Sequence, residues 1–259
     1  MNWAALDASI LGPALVAGLL VLATHVPLGM QVLDRGIVFI DLAIAQIAGL
    51  GVIVAMSLGL PESGAWTQAA AGIAALLGAA LLTWTEHRAA QQQEALIGVL
   101  FVLASCVGIV LLASNPHGGE HLKDLLVGQI LWVNTTQLAW LGAVTAILLG
   151  AIHLGVVQRL GRFGFYAVFA VAVTASVQLV GVYLVFSSLI VPALATQIAR
   201  TRHRQVTAYA IGAAGYAAGL AASALFDLPS GAIVVCTLAA VGLAYAVIAG
   251  STRHRVPSA

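Results

Sequence analysis

The chain has 259 residues, 61% of them hydrophobic and only 7% charged, with a mean hydropathy of +1.05. An ordinary soluble domain carries about 25% charged residues, and a soluble fold of this length has nowhere to hide so much apolar surface. The formal net charge is +1 and the basic residues stand singly or in short groups, which excludes nucleic acid as a partner because phosphate binding needs a clustered basic face.

What remains is an all-α, polytopic membrane protein, a single transmembrane domain over residues 1–259 embedded in the lipid bilayer. A helix needs about 20 mainly apolar residues to cross ~30 Å of hydrocarbon. Apolar runs predict spans at about 10–31, 37–58, 65–84, 96–113, 125–154, 163–181, 183–199, 206–226 and 231–250. These make eight to nine crossings. The first run has no basic residue before it and no small-residue cleavage pattern after it, so it reads as a span rather than a signal peptide.

Arg35, Arg88, Arg159 with Arg162, the trio Arg200, Arg202 and Arg204, and Arg253 with Arg255 all fall in alternate connections. Nine of the ten basic residues therefore lie on one side, and Lys123 is the exception. The positive-inside rule makes that side cytoplasmic, with the N-terminus outside and the C-terminus inside.

Along the first span, His25 is followed by Pro27, whose missing donor loosens the preceding turn. Such a histidine either bonds to a neighbouring helix or ligates a metal. The second span carries Asp41 a turn inside its start, with Gln46 after it. An ionisable residue there is costly and by default functional. Asp41 either pairs with Arg35 near the inner interface or serves as a cation ligand on a transport path.

The outer loop Asn115-Pro116-His117-Gly118-Gly119-Glu120-His121-Leu122-Lys123-Asp124 puts two imidazoles and two carboxylates within eight residues. These ligand types suit zinc, manganese or ferrous iron, so the loop reads either as a metal-capture site or as a solvated helix start. The fifth segment is too long for one straight span, and a short interfacial piece with Trp132 at headgroup level is expected before the true crossing.

In the seventh span, Ser187 and Ser188 with Pro192 suit either a broken helix beside a pathway or a plain kinked one. Ala208 with Gly212, and Gly215 with Gly219, allow close helix approach in the eighth. Asp227-Leu228-Pro229-Ser230-Gly231 is a turn signal. Cys106 and Cys236 lie in apolar segments with no disulfide or zinc spacing and are expected to be small buried residues.

Several of these segments, in order, resemble the membrane-spanning permease subunits of bacterial ATP-binding-cassette importers for zinc and manganese. They are Leu28-Gly29 with Arg35 and Asp41, Gln93-Glu94-Ala95-Leu96-Ile97-Gly98, Asp124 to Leu131, Gly181 to Ala195, and Asp227 to Val234. The resemblance implies a transport subunit of the bacterial cytoplasmic (inner) membrane that is not itself an enzyme. It implies a homodimer, a separate cytoplasmic ATP-binding subunit and an extracytoplasmic metal-binding protein as partners. No tightly bound cofactor is expected, and the cargo is a divalent metal.

The family commonly has histidine four residues after the aspartate matching Asp41, where this chain has Ala45 with Gln46 beside it. The implied ion site then draws on His25 or on the His117, Glu120, His121 and Asp124 loop instead. The family also usually places an acidic coupling helix near Arg159 and Arg162, where this chain has a short connection. Glu94, Arg159 and Arg162 are the expected ATPase contacts. The alternative is a metal carrier or membrane-embedded sensor that works without an ATPase.

Overall fold

The computed structural model describes residues 7–60, 64–113 and 126–253. They form ten helices and no strand: α1 (Ala8–Arg35), α2 (Ile40–Ser57), α3 (Ala65–Ala89), α4 (Gln93–Leu112), α5 (Thr135–His153), the single turn α6 (Val156–Arg159), α7 (Gly161–Val180), α8 (Val182–Ile198), α9 (Arg204–Phe226) and α10 (Ser230–Arg253). Seven apolar stretches among the described residues are long enough to cross a membrane, one of them the 48-residue run Ala65–Leu112. A 3₁₀ turn at Ala90–Gln92 folds that run into α3 and α4.

Two contacts fix the reversal. Phe39 N donates to Glu94 Oε1 at 3.1 Å where α2 and α4 both begin, and a Cβ on Gly108 near the far end of α4 would lie 3.2 Å from Ile53 on α2. Thus α4 runs parallel to α2 and antiparallel to α3. With the 17-residue apolar helix Val182–Ile198 added, nine of the ten described helices serve as crossings, at the places the apolar runs predict. The polar joints lie where turn chemistry puts them. Asn134 and Gln137 make a reciprocal capping box at the start of α5, Gly181 at φ 82° separates α7 from α8, and Asp227 at φ 54° ends α9.

The most buried helices are α7 and α8, at the centre. On one flank α2 gathers α3 and α4 and leans on α7, which also packs along α3; on the other, α8 carries α1, α9 and α10. Hydrocarbon gives helices no hydrophobic reason to associate, so close backbone approach through small residues supplies the attraction. Gly18 accepts the ring of Tyr216, Gly212 accepts Leu22, Gly215 accepts Leu238, and a Cβ on Gly29 would fall on the carbonyl oxygen of Leu189. The Gly212, Gly215 and Gly219 stripe therefore packs, as its spacing predicts.

Cys106 and Cys236 are a correction: both are exposed on the outer surface of the bundle, where an apolar side chain faces lipid as readily as core.

The basic connections converge on one end. Arg204 lies 3.9 Å from Asp34, Arg162 lies 3.9 Å from Glu86 and 3.2 Å from the His87 imidazole, and the Arg35 guanidinium sits 4.0 Å over the Phe165 ring. The positive-inside rule assigns this end to the cytoplasm. Trp132, 80% exposed, marks the opposite end, in a 3₁₀ turn before α5.

The α1–α8 seam yields a test. Gly29→Ala places a methyl on the Leu189 backbone, which has no side chain to swing away, and is expected to cost about 1–3 kcal/mol. Gly12→Ala, with open space around its Cβ, is expected to leave thermal unfolding in detergent at or above the wild-type midpoint.

Candidate functional site

Asp41 lies in the first turn of α2 and is fully buried, and neither carboxylate oxygen has a hydrogen-bond partner. The pairing with Arg35 is not made, because the Arg35 guanidinium turns to the face of Phe165 instead. Four residues on, Ala45 shares the Asp41 face and is buried too, so no second ligand comes from the next turn. Gln46 is rotated by about 140° from Asp41 at 100° per residue and is half-buried. It belongs to a different face of α2.

His25 is fully buried within α1. Its Nδ1 lies 2.9 Å from Val21 O and 3.0 Å from Thr24 Oγ1, so its bonds are made inside its own helix rather than to a neighbour. A carbonyl can only accept, which assigns the proton to Nδ1 and leaves the Nε2 lone pair free and unpartnered. His25 stands ten residues, about 15 Å, up the helix from Arg35. Asp41 stands near the inner end, so the two occupy different depths. Among the described residues no three of His, Cys, Asp and Glu come together as a metal cluster. His117, Glu120, His121 and Asp124 lie outside the described residues.

Ser187, Ser188 and Pro192 are buried on α8. The helix runs unbroken from Val182 to Ile198 through Pro192, so the break is not made there; the helices are separated at Gly181 instead. Ser188 Oγ donates to Leu184 O at 2.6 Å and lies 2.8 Å from Tyr216 OH, and Thr196 Oγ1 reaches Pro192 O at 3.2 Å and Ala193 O at 2.9 Å.

The inner-end residues divide. Glu94 Oε1 accepts the Phe39 N–H before α2, which places a carboxylate at that helix's N-terminus. Arg162 bridges the inner ends of α3 and α7 through Glu86 and His87, while Arg159 is exposed on α6. The connection holding α6 is more than a plain link: Gly155 at φ 72° and Gly161 at φ 60° bracket a helical turn with exposed Val156 and Leu160, and exposed Leu154 stands just before it.

Sequence reasoning missed two features. Beneath the inner surface, Gln93 Nε2 donates to Leu82 O at 3.0 Å and to Tyr166 OH at 3.2 Å while Thr85 Oγ1 lies 3.0 Å from Gln93 Oε1, tying the α3–α4 hairpin to α7. Gln93 at the head of an apolar run was the available signal. At the outer end, a cavity of about 1030 Å³ opens between the ends of α2, α3 and α7 and the stretch from Gly128 to Trp140. Its walls come from four separated parts of the chain.

A family model described as the ABC 3 transport family matches residues 7–158 and 149–249. The high-affinity zinc uptake system membrane protein ZnuB of Haemophilus influenzae is 25% identical over 249 residues, covering 88% of this chain and 94% of that protein. The manganese transport system membrane protein MntC of Halalkalibacterium halodurans is 26% identical over 251 residues, covering 89% and 84%. A chain of the solved structure of PsaBC from Streptococcus pneumoniae in complex with Fab superposes with a TM-score of 0.74 at 22% identity, covering 94% of this chain and 93% of that one. That last likeness concerns the fold.

The Ser188–Tyr216 pair yields a double-mutant test. Ser188→Ala leaves the buried Tyr216 hydroxyl without its partner and is expected to cost about 1–2 kcal/mol, whereas Ser188→Ala with Tyr216→Phe removes both polar groups and recovers most of the loss. Thermal unfolding of the three variants in detergent measures the coupling. Additive losses would mean that the 2.8 Å contact contributes nothing.

Proposed function

The chain belongs to the ABC 3 transport family, and from that premise we propose that it is the membrane permease of an ATP-driven importer for zinc, manganese or iron. Asp41 carries the site assignment. A carboxylate with no partner inside a membrane helix costs several kcal/mol, and a cation passing through is the partner that would offset the cost. Carboxylate and imidazole nitrogen are ligand types for all three metals.

In this reading the metal arrives from an extracytoplasmic binding protein at the outer end. Two copies of the chain form the pathway, and a pair of cytoplasmic ATP-binding subunits docks on the basic inner end. The α6 turn, with exposed Val156, Arg159 and Leu160 held between two left-handed glycines, is the element best shaped to receive them. ATP binding and hydrolysis on those subunits then move the helices so that the site opens first to one side and then to the other. No covalent step falls to this chain. The support is the family match, the homologous zinc and manganese transport proteins, and the segregation of positive charge to one end. Among the described residues, His25 offers a free imidazole nitrogen, Nε2, further from the inner end than Asp41.

Asp41→Asn preserves the side-chain shape and removes its charge. Uptake of labelled zinc or manganese by cells expressing the variant is expected to fall at least on the order of 100-fold, as loss of a metal-binding group does. The amount of protein in the membrane is expected to stay the same. Wild-type uptake in that variant would remove Asp41 from the route.

A further inference from the structure

Two kinds of contact hold the helices together. Along α1, α2 and α9 they meet through glycine: a Cβ on Gly29 would fall on the Leu189 carbonyl, one on Gly51 on Ala70 O and the Ala74 methyl, and one on Gly215 on Leu238. Seams fitted this closely resist parting, because separation gives up dispersion along their whole length. At the inner end side chains make the joints.

Those joints form a closed ring. The Arg35 guanidinium of α1 lies over Phe165 of α7, and Arg162 of α7 reaches Glu86 and His87 of α3. Gln93 of α4 donates to Leu82 O of α3 and to Tyr166 OH of α7, and Thr85 of α3 donates back to Gln93 Oε1. Glu94 of α4 accepts from Phe39 N at the head of α2, and the turn 36–39 leads from there back to Arg35. Asp41 stands two residues beyond Phe39, so its carboxylate and the ring share the inner end of the bundle. Each contact is modest, and a small rearrangement of helix ends breaks and remakes it.

We propose that this ring is the inner gate of the permease, with Gln93 and Tyr166 as its latch. Closed, it separates Asp41 from the cytoplasm; it opens when the head of α4 parts from α7. The inference rests on the reading of the chain as a metal permease and adds to it the residues that control release of the cargo. Gln93 is the first residue of α4, directly after the 3₁₀ turn Ala90–Gln92, so the latch acts where the α3–α4 hairpin reverses. The proposed ATP-binding subunits dock at this end, and their movement reaches the ring before the rest of the bundle. Gln93 and Tyr166 position helices; neither holds the metal.

Cysteine labelling tests this in proteoliposomes holding the permease with its ATP-binding subunits. With Cys106→Ser and Cys236→Ser, Ala45→Cys gives the permease a single thiol one turn beyond Asp41 on the same face. A membrane-impermeant cationic methanethiosulfonate is applied to the arginine-rich side without ATP. Tyr166→Phe removes the hydroxyl to which Gln93 donates and is expected to speed labelling about three- to fivefold, the worth of one modest hydrogen bond. Gln93→Leu is expected to speed it further. Tyr209→Phe deletes another interhelical bond, from Tyr209 OH of α9 to Ala23 O of α1, outside the ring, and is expected to label at the parent rate. Labelling of Tyr166→Phe and Gln93→Leu no faster than the parent, or an equal rise in Tyr209→Phe, would overturn the inference. Zinc-65 uptake by the wild-type complex from its metal-loaded binding protein is measured alongside, and its absence would overturn the permease reading itself.

Discussion

The hydrocarbon core of a bilayer offers no water, so each backbone amide and polar side chain inside it has to find its partner within the protein. Most of this chain answers that demand locally. Thr24, Ser57, Thr83, Ser105, Ser188 and Thr196 return their hydroxyls to carbonyls three or four residues back, and Tyr209 reaches the Ala23 carbonyl across a helix seam at 3.0 Å. Against that background some buried groups have no partner among the described residues: both oxygens of Asp41, Nε2 of His25 and Oγ1 of Thr174, with further atoms of Glu86, Glu94 and Arg204. In the proposed permease, Asp41 and His25 are where a passing cation would complete the bonding.

The same absence of water explains the two ends. Attraction between helices comes from close approach, hence the glycines of α1 and α9 seated against Leu189, Tyr216, Leu22 and Leu238. Charge is expelled to the interfaces and then organised there. On the cytoplasmic side the arginines draw α1, α3, α7 and α9 together through Asp34, Glu86, His87 and Phe165, in contacts that are individually weak where solvent reaches them but that set the ends of four helices at once. On the outer side a cavity opens between the ends of α2, α3 and α7, and its walls among the described residues are uncharged.

Much of this was legible in the sequence. Nine apolar runs correspond to nine described crossings, the arginines mark the inner end, and Gly181 and Asp227 sit at the turns that their neighbours announce. These features depend on local composition and on single residues. The rest depends on which helix faces which. That Arg35 would choose the Phe165 ring over Asp41 is a tertiary preference, since Phe165 is 130 positions away. That Glu94 would cap α2, or that four distant segments would enclose a cavity, has no periodic signature. Pro192 suggested a break because a proline removes a donor, but α8 stays helical from Val182 to Ile198 through it. Both cysteines face outward for a similar reason: hydropathy cannot tell a lipid-facing position from a core one.

The central claim is that this chain couples metal movement through a bundle containing Asp41 to ATP hydrolysis on a partner. It is tested most directly by reconstituting the permease with its ATP-binding subunits, supplying the metal-loaded binding protein at the opposite face, and measuring zinc or manganese accumulation with ATP inside or outside the vesicles. The account predicts accumulation only when ATP is present on the arginine-rich face, accompanied by metal-stimulated hydrolysis. Equal accumulation with and without ATP, or hydrolysis indifferent to metal, would contradict it.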